Sequence, residues 1–312
     1  MFRANLIRSL AIAALSVCLV VVVMGAYVRL SAAGLSCPDW PGCYGHLSPA
    51  GASVHDTGIE VAKAWKEMIH RYLAGTLGVL LVLIAALALQ QKKPRLVSLA
   101  FAWGLVALVV TQAVFGMLTV TRQLEPAIVT THLLFGLTTL SLLWWLVLTI
   151  RGRRTNAWGT GTTFIGASLP GTRRLAALGL LVLVVQLALG GWTSSHYAAT
   201  GCPDLPTCQG RWWPGLTGTA GIHFMHRLGA LLTTVILVLA AVRVLRSRSD
   251  DFARRSALAV LATLVLQLTI AVTMVLEGFP LWLATAHNAG AALLLLAVVA
   301  LNRSLRPAWK AA

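Results

Sequence analysis

The chain has 312 residues, of which 58% are hydrophobic and only 11% are charged, and its mean hydropathy is +0.80. Soluble domains carry about 25% charged residues, so this composition excludes an ordinary soluble protein and indicates an integral membrane protein. The net charge of +16 does not indicate a nucleic-acid-binding surface, because most of the 25 basic residues lie in segments on one side of the predicted membrane.

Eight apolar runs each approach the length of roughly 20 residues that an α-helix needs to cross the hydrocarbon core. They cover approximately residues 9–30, 67–90, 97–121, 127–150, 174–196, 222–245, 256–277 and 280–301. Arg3 and Arg8 precede the first run, as in a signal peptide, but its apolar stretch is too long, so we expect an uncleaved span. The sequence therefore predicts an all-α integral membrane fold with eight transmembrane helices.

An internal repeat relates the two halves of the chain. The segment CPDWPGCYG at residues 37–45 matches CPDLPTCQG at residues 202–210. Gln112 in the first half matches Gln267 in the second, and His132 matches His287 at the same spacing. Each half is therefore predicted to contain four helices, with a long first outer loop and a short second one.

The repeat and the charge pattern together predict the domain organisation. We expect an N-terminal four-helix bundle in residues 1–150, a cytoplasmic linker in residues 151–173 and a C-terminal four-helix bundle in residues 174–312. An even number of helices gives both bundles the same orientation, so they should be related by a pseudo-two-fold axis about the membrane normal. The positive-inside pattern predicts that both termini are cytoplasmic.

Four histidines occupy matched places near the outer ends of the second and fourth helices of each half, namely His70, His132, His226 and His287. Two facing imidazoles in the core of a helix bundle can hold a haem iron from both sides. The alternative is that each histidine bonds a neighbouring helix or lines a polar cavity. Zinc is a further alternative, because His223 and His226 share a helix face, although no partner carboxylate or cysteine is evident nearby.

An acidic residue distinguishes the two halves. Glu67 precedes His70 by three residues and shares its helix face, whereas the corresponding position before His226 is His223. A carboxyl group beside only one of two metal sites suggests that this site performs chemistry while the other handles electrons. The alternative is a solvated acid at a helix start, where the helix dipole favours negative charge.

An arginine directly follows a candidate ligand in each half, at positions 71 and 227. Arg71 and Arg227 could pair with haem propionates at the outer surface, since guanidinium groups bind carboxylates through two parallel hydrogen bonds. The alternative is that both side chains extend to the lipid headgroups. The sequence does not decide between these roles.

Five cysteines divide into two pairs and one lone residue. Cys37 and Cys43 lie in the first outer loop, and Cys202 and Cys208 lie at the matching place in the second half. Disulfides persist on the oxidising side of a membrane, so each pair is expected to close a small loop. Cys18 lies within the first span and is expected to be an inert buried thiol.

In combination, these features resemble the haem A synthase family, the integral membrane enzymes that convert haem O to haem A for terminal oxidases. The resemblance covers nearly the whole chain. It implies that the substrate haem lies between His70 and His132, that a haem b cofactor lies between His226 and His287, and that Glu67 acts in catalysis. It also implies oxidation of a porphyrin methyl to a formyl group, with oxygen from water and electrons leaving through haem b.

The resemblance has implications for setting and partners as well. It implies a bacterial inner membrane protein that forms homo-oligomers, works beside the haem O synthase and carries its haem sites toward the periplasmic face. In some members the cysteines matching Cys37 and Cys43 are tied to function, whereas those matching Cys202 and Cys208 look structural. Two other functions remain open on the residues alone. They are a di-haem membrane cytochrome b that only transfers electrons, and a haem transporter or chaperone.

Overall fold

The computed structural model describes residues 2–52, 60–91, 95–157, 170–247 and 249–306. Within these residues, eight helices are long and apolar enough to cross a membrane, and no β-strand is formed beyond two isolated bridges. They are α1 (Phe2–Leu30), α2 (Val61–Leu89), α3 (Leu99–Thr121), α4 (Pro126–Ala157), α5 (Pro170–Ser195), α6 (Gly218–Arg246), α7 (Asp251–Leu276) and α8 (Leu281–Ser304). The predicted all-α membrane fold with eight spans is confirmed.

Several helices begin before the apolar runs that predicted them. Helix α2 begins at Val61 and α6 at Gly218, each a turn or more ahead of its apolar run. These additional turns need not lie in the hydrocarbon core, so hydropathy does not detect them. Helix α4 begins at Pro126, because the first turn of a helix does not need the N–H that proline lacks. Pro280 is the last residue before α8 and has an extended backbone conformation.

The chain divides into two compact units, Met1–Leu140 (the first unit) and Ser141–Ala312 (the second unit). In the first unit α2 packs against α1 and α3, and the rings of Phe115 and Phe135 join α3 to α4 in an edge-to-face contact. In the second unit α5 packs against α6 and α8, and α7 packs against the same two helices. The domain boundaries at 150 and 173 and the pseudo-two-fold axis stay predictions, and residues 158–169 of the predicted linker lie outside the described residues.

Polar side chains join helices within the second unit. The Asn302 side-chain amide on α8 donates to the Ala176 carbonyl of α5 at 3.0 Å, and the Trp144 indole on α4 donates to the Leu296 carbonyl of α8 at 3.0 Å. In lipid, helices gain little from apolar contact alone, so close packing and hydrogen bonds between helices contribute to their association. These bonds help to fix the helices that carry the candidate site.

The loop between α1 and α2 (the first loop) and its counterpart between α5 and α6 (the second loop) both contain a disulfide. The pairs are Cys37–Cys43, with a Cα–Cα distance of 4.7 Å, and Cys202–Cys208, with a distance of 4.6 Å. Both cysteine pairings therefore agree with the sequence prediction. Cys18 is buried and unbridged, also as expected.

An aspartate organises the turn inside each disulfide loop. The Asp204 carboxylate accepts hydrogen bonds from the Thr207 hydroxyl and from the backbone N–H groups of Gly210 (3.0 Å) and Gln209 (2.6 Å). Asp39 accepts equivalent backbone bonds in the first loop. The Thr207 hydroxyl, followed by the backbone donors, lowers the pKa of Asp204 to about 2, because these bonds stabilise the ionised carboxylate.

Candidate functional site

The first unit brings the two predicted ligands His70 and His132 together. His70 lies on α2 and His132 on α4, and the two imidazoles are close enough to interact electrostatically. The Nδ1 atoms of both rings are buried and have no hydrogen-bond partner among the described residues. Two neighbouring imidazoles with buried nitrogens form a site where a metal could be bound from both sides.

Glycines on adjacent helices make room for these rings. A Cβ atom added at Gly25 of α1 would lie 2.8 Å from Cε1 of His70, and one added at Gly116 of α3 would lie 3.3 Å from Cε1 of His132. Each imidazole therefore lies where the neighbouring helix has no side chain, which allows a close approach that a larger residue would block.

The second unit contains the corresponding pair, His226 on α6 and His287 on α8, which also interact electrostatically. Gly190 of α5 faces His226 as Gly25 faces His70, with an added Cβ 3.1 Å from Cε1 of His226. The structure thus assembles a histidine pair in each unit. Whether these histidines bind haem iron stays a prediction.

Glutamines contact the second pair, and sequence reasoning missed their role. The Gln186 amide nitrogen on α5 lies 3.0 Å from Nδ1 of His226 and donates to the His226 carbonyl at 3.0 Å. The Gln267 amide nitrogen on α7 lies 3.2 Å from Nδ1 of His287 and donates to the His287 carbonyl at 3.1 Å. The repeat had drawn attention to Gln267. Gln186 carried no signal, because its counterpart in the first half is apolar.

The Glu67 carboxylate is buried and bonded both to the disulfide loop and to Arg71. Its side chain is 5% exposed on α2, where Oε2 accepts hydrogen bonds from the backbone N–H groups of Ser36 (2.9 Å) and Cys37 (3.0 Å). Oε1 forms an ion pair with Arg71 one helical turn further along. The alternative of a solvated acid at a helix start is therefore wrong, because α2 begins earlier and the disulfide loop covers this position.

Arg71 connects α2 to the same loop. Its guanidinium donates to the backbone carbonyls of Asp39 (2.9 Å), Gly42 and Cys37 (3.4 Å), besides its bond to Glu67. Pairing of Arg71 with a haem propionate stays a prediction. A propionate paired with Arg71 would share its guanidinium with these loop carbonyls.

The second unit repeats this arrangement with a different residue in place of the acid. Arg227 donates to the carbonyls of Asp204 (2.9 Å), Thr207 (2.9 Å) and Cys202 (2.7 Å). His223 is 6% exposed, and its Nδ1 accepts a hydrogen bond from the Cys202 N–H at 3.3 Å. His223 therefore takes the place of Glu67 against the loop. The described part of the chain contains no cluster of three or more His, Cys, Asp or Glu residues that could hold a metal ion, so the zinc alternative has no support there.

The residues present fit a haem in each unit. Imidazole is a common axial ligand of haem iron, and each unit supplies two on neighbouring helices of a bundle. Glycines face three of the four rings, and the buried Nδ1 atoms of the first pair have no hydrogen-bond partner among the described residues. Both observations agree with rings whose main partner is a bound group. Among the described residues, only the first unit has a buried carboxylate, that of Glu67, three residues before one of its histidines.

Known proteins are similar to this chain over most of its length. Residues 8–299 match the COX15-CtaA family, which is described as cytochrome oxidase assembly protein. The heme A synthase of Shewanella oneidensis is 40% identical over an alignment covering 91% of this chain and 92% of that protein. The heme A synthases of Symbiobacterium thermophilum (30% identical; 84% and 83% covered) and Halalkalibacterium halodurans (28%; 86% of each) are also similar.

Proposed function

The chain belongs to the COX15-CtaA family of cytochrome oxidase assembly proteins, and on this basis we propose that it is a haem A synthase, which oxidises a methyl group of haem O to the formyl group of haem A. The substrate haem binds between His70 and His132, and a haem b cofactor binds between His226 and His287. The observation that carries this assignment is that both units hold a histidine pair, whereas only the first has the buried carboxylate of Glu67 nearby.

The overall reaction requires water and an electron sink. Conversion of a methyl group and one water molecule to a formyl group releases electrons and protons in equal number. When bound, haem b supplies a one-electron carrier through which these electrons leave toward an oxidant outside the chain. A bilayer-embedded site suits this substrate, because a farnesylated haem dissolves in lipid and can enter from the side.

Glu67 is the residue that we assign to proton transfer. A carboxylate offers about four lone-pair sites, and the contacts of Glu67 with Ser36, Cys37 and Arg71 use three of them. One site is left to accept a proton from an attacking water, which is the role of a general base. Arg71 fixes the position of the carboxylate by its ion pair with Glu67 and by its own bonds to the loop.

The remaining assignments concern the surroundings of the two haems. Arg71 and Arg227 lie one residue after a ligand and are proposed to pair with haem propionates. The protein is proposed to reside in the bacterial inner membrane with both termini cytoplasmic and the haem sites toward the periplasm. We further propose that haem O synthase supplies the substrate and that the protein assembles into a homo-oligomer.

The first test is chromatography of the haems extracted from protein purified from cells that also make haem O. We expect haem b together with haem O or haem A. His70→Ala should abolish haem A formation and keep haem b, whereas His226→Ala should lose haem b. Haem b alone, at two per chain, would contradict the synthase and favour a di-haem cytochrome b. Loss of all haem during purification would favour a transporter.

A further inference from the structure

The two histidines of the second unit are held by matching contacts from a neighbouring helix. Gly229 and Gly290 each lie three residues after a histidine, on the same helix face. A Cβ atom at Gly229 would lie 2.2 Å from Oε1 of Gln186, and one at Gly290 would lie 2.3 Å from Oε1 of Gln267. Each glutamine therefore reaches its histidine only because a glycine leaves room for its carboxamide.

The first unit lacks this arrangement at His70. Gly25 and Gly190 face the rings of His70 and His226 from matched positions, and four residues before them stand Val21 and Gln186, respectively. The His70 ring interacts with the backbone of Val21, whose side chain has no hydrogen-bonding group. A glutamine in the second unit is thus replaced by an apolar residue in the first.

The other histidine of the first unit is also less tightly held. Gln112 of α3 matches Gln267 in the repeat, and its amide nitrogen would lie 2.9 Å from a Cβ at Gly136 of α4. Its Oε1 and the Nδ1 of His132 are nevertheless both buried without a hydrogen-bond partner among the described residues. The two units therefore differ at both ligand positions in the contacts that hold the imidazole.

We propose that Gln186 and Gln267 are positioning residues that keep the haem of the second unit resident, and that their absence or displacement in the first unit allows the substrate haem to exchange. This inference rests on the proposed function, since it requires His226 and His287 to bind iron. Groups that hydrogen-bond a ligating histidine fix the orientation of its ring, and their loss lowers metal affinity by about 10–100-fold.

The carboxamide has the groups that such a role needs. An imidazole that binds iron through Nε2 carries its proton on Nδ1, and that N–H needs an acceptor. Oε1 of Gln186 and Oε1 of Gln267 are both buried without a partner among the described residues. Rotation of either carboxamide presents Oε1 as an acceptor to Nδ1–H, in exchange for the amide bond to the histidine carbonyl. The valine side chain at the matched position of the first unit supplies no acceptor, and only the backbone of Val21 interacts with the His70 ring.

The test compares the full-length protein with Gln186→Val, which copies the first unit, and with Gln186→Glu, which keeps an acceptor. Transfer of haem b to excess apomyoglobin and the haem b midpoint potential are measured for each. We expect Gln186→Val to release haem b about 10–100-fold faster and to raise the midpoint potential, because the ligand becomes less basic. Gln186→Glu should retain haem b and lower the potential. Gln112→Val is the matched control, and its haem b release should equal that of the unaltered protein.

The outcomes separate this inference from the function on which it rests. If the unaltered protein contains no haem b, or if His226→Ala retains it, the proposed function fails. If the unaltered protein holds haem b and Gln186→Val matches it in both release rate and potential, only the positioning role is overturned. If Gln186→Val does not fold, an unchanged potential in Gln186→Glu overturns it instead.

Discussion

Replacing Glu67 by alanine should release the first disulfide loop from α2. The carboxylate accepts hydrogen bonds from the backbone N–H groups of Ser36 and Cys37 and pairs with Arg71, which itself donates to four loop carbonyls. The side chains of Arg71 and Glu67 are only 12% and 5% exposed, so water does not substitute for the lost partner. Alanine thus leaves two amides and one guanidinium without their acceptor.

The size of the effect follows from this burial. Removing one partner of a buried ion pair typically costs about 3–5 kcal/mol, because the other charge stays buried and unpaired. At the lower end of that range, the equilibrium for opening of the loop shifts by about two orders of magnitude. Glu67→Gln keeps an acceptor for the amides but loses the charge, so its effect should be smaller.

Hydrogen exchange of a peptide spanning residues 36–44 measures this opening directly. The control is Glu60→Ala, which removes the ion pair between Glu60 and Lys63. The Glu60 side chain is 68% exposed and the Lys63 side chain is 33% exposed. An exposed pair contributes about 0–1 kcal/mol, so exchange at residues 36–44 should not change in the control. Equal exchange in Glu67→Ala and the unaltered protein would refute the reasoning that Glu67 holds the loop.

Two further predictions concern a glycine that faces a ligand and the turn in the second loop. Gly25→Ala places a methyl group 2.8 Å from Cε1 of His70 and should lower the stability of the folded protein by about 1–3 kcal/mol through overpacking. Both the melting temperature and the yield of haem A should therefore fall. The added methyl group of Gly78→Ala on α2 meets no atom within 4 Å, so this variant should lower neither the melting temperature nor the yield of haem A. Because the pKa of Asp204 is lowered to about 2, its stabilisation of the turn is complete above the ordinary aspartate pKa of about 3.9 and is lost as pH falls through the lowered value. Amide exchange at residues 209–210 should therefore accelerate over that window in the unaltered protein, whereas Asp204→Asn should show no such transition.

Much of the candidate site could be predicted because its residues carry a local signal. His70 and His226 lie at the same place in two copies of a repeat. A charged or polar side chain within an apolar run is energetically costly and is therefore usually kept for a function. Glu67 was recognised for the same reason. Its actual partners, the amides of Ser36 and Cys37, could not be predicted, because they depend on how the loop folds back onto α2.

The sequence by itself determined the membrane class, the eight spans, the repeat, the cysteine pairs and the candidate ligands, since each depends on composition, spacing or chain length. Tertiary structure alone decided what touches the ligands. In the sequence, Gln186 is one polar residue in an apolar helix. In the packed structure of α5 and α6, the absence of a side chain at Gly229 lets the Gln186 carboxamide reach His226. Contacts between helices depend on the relative rotation and depth of both, and no pattern within a single helix specifies those quantities.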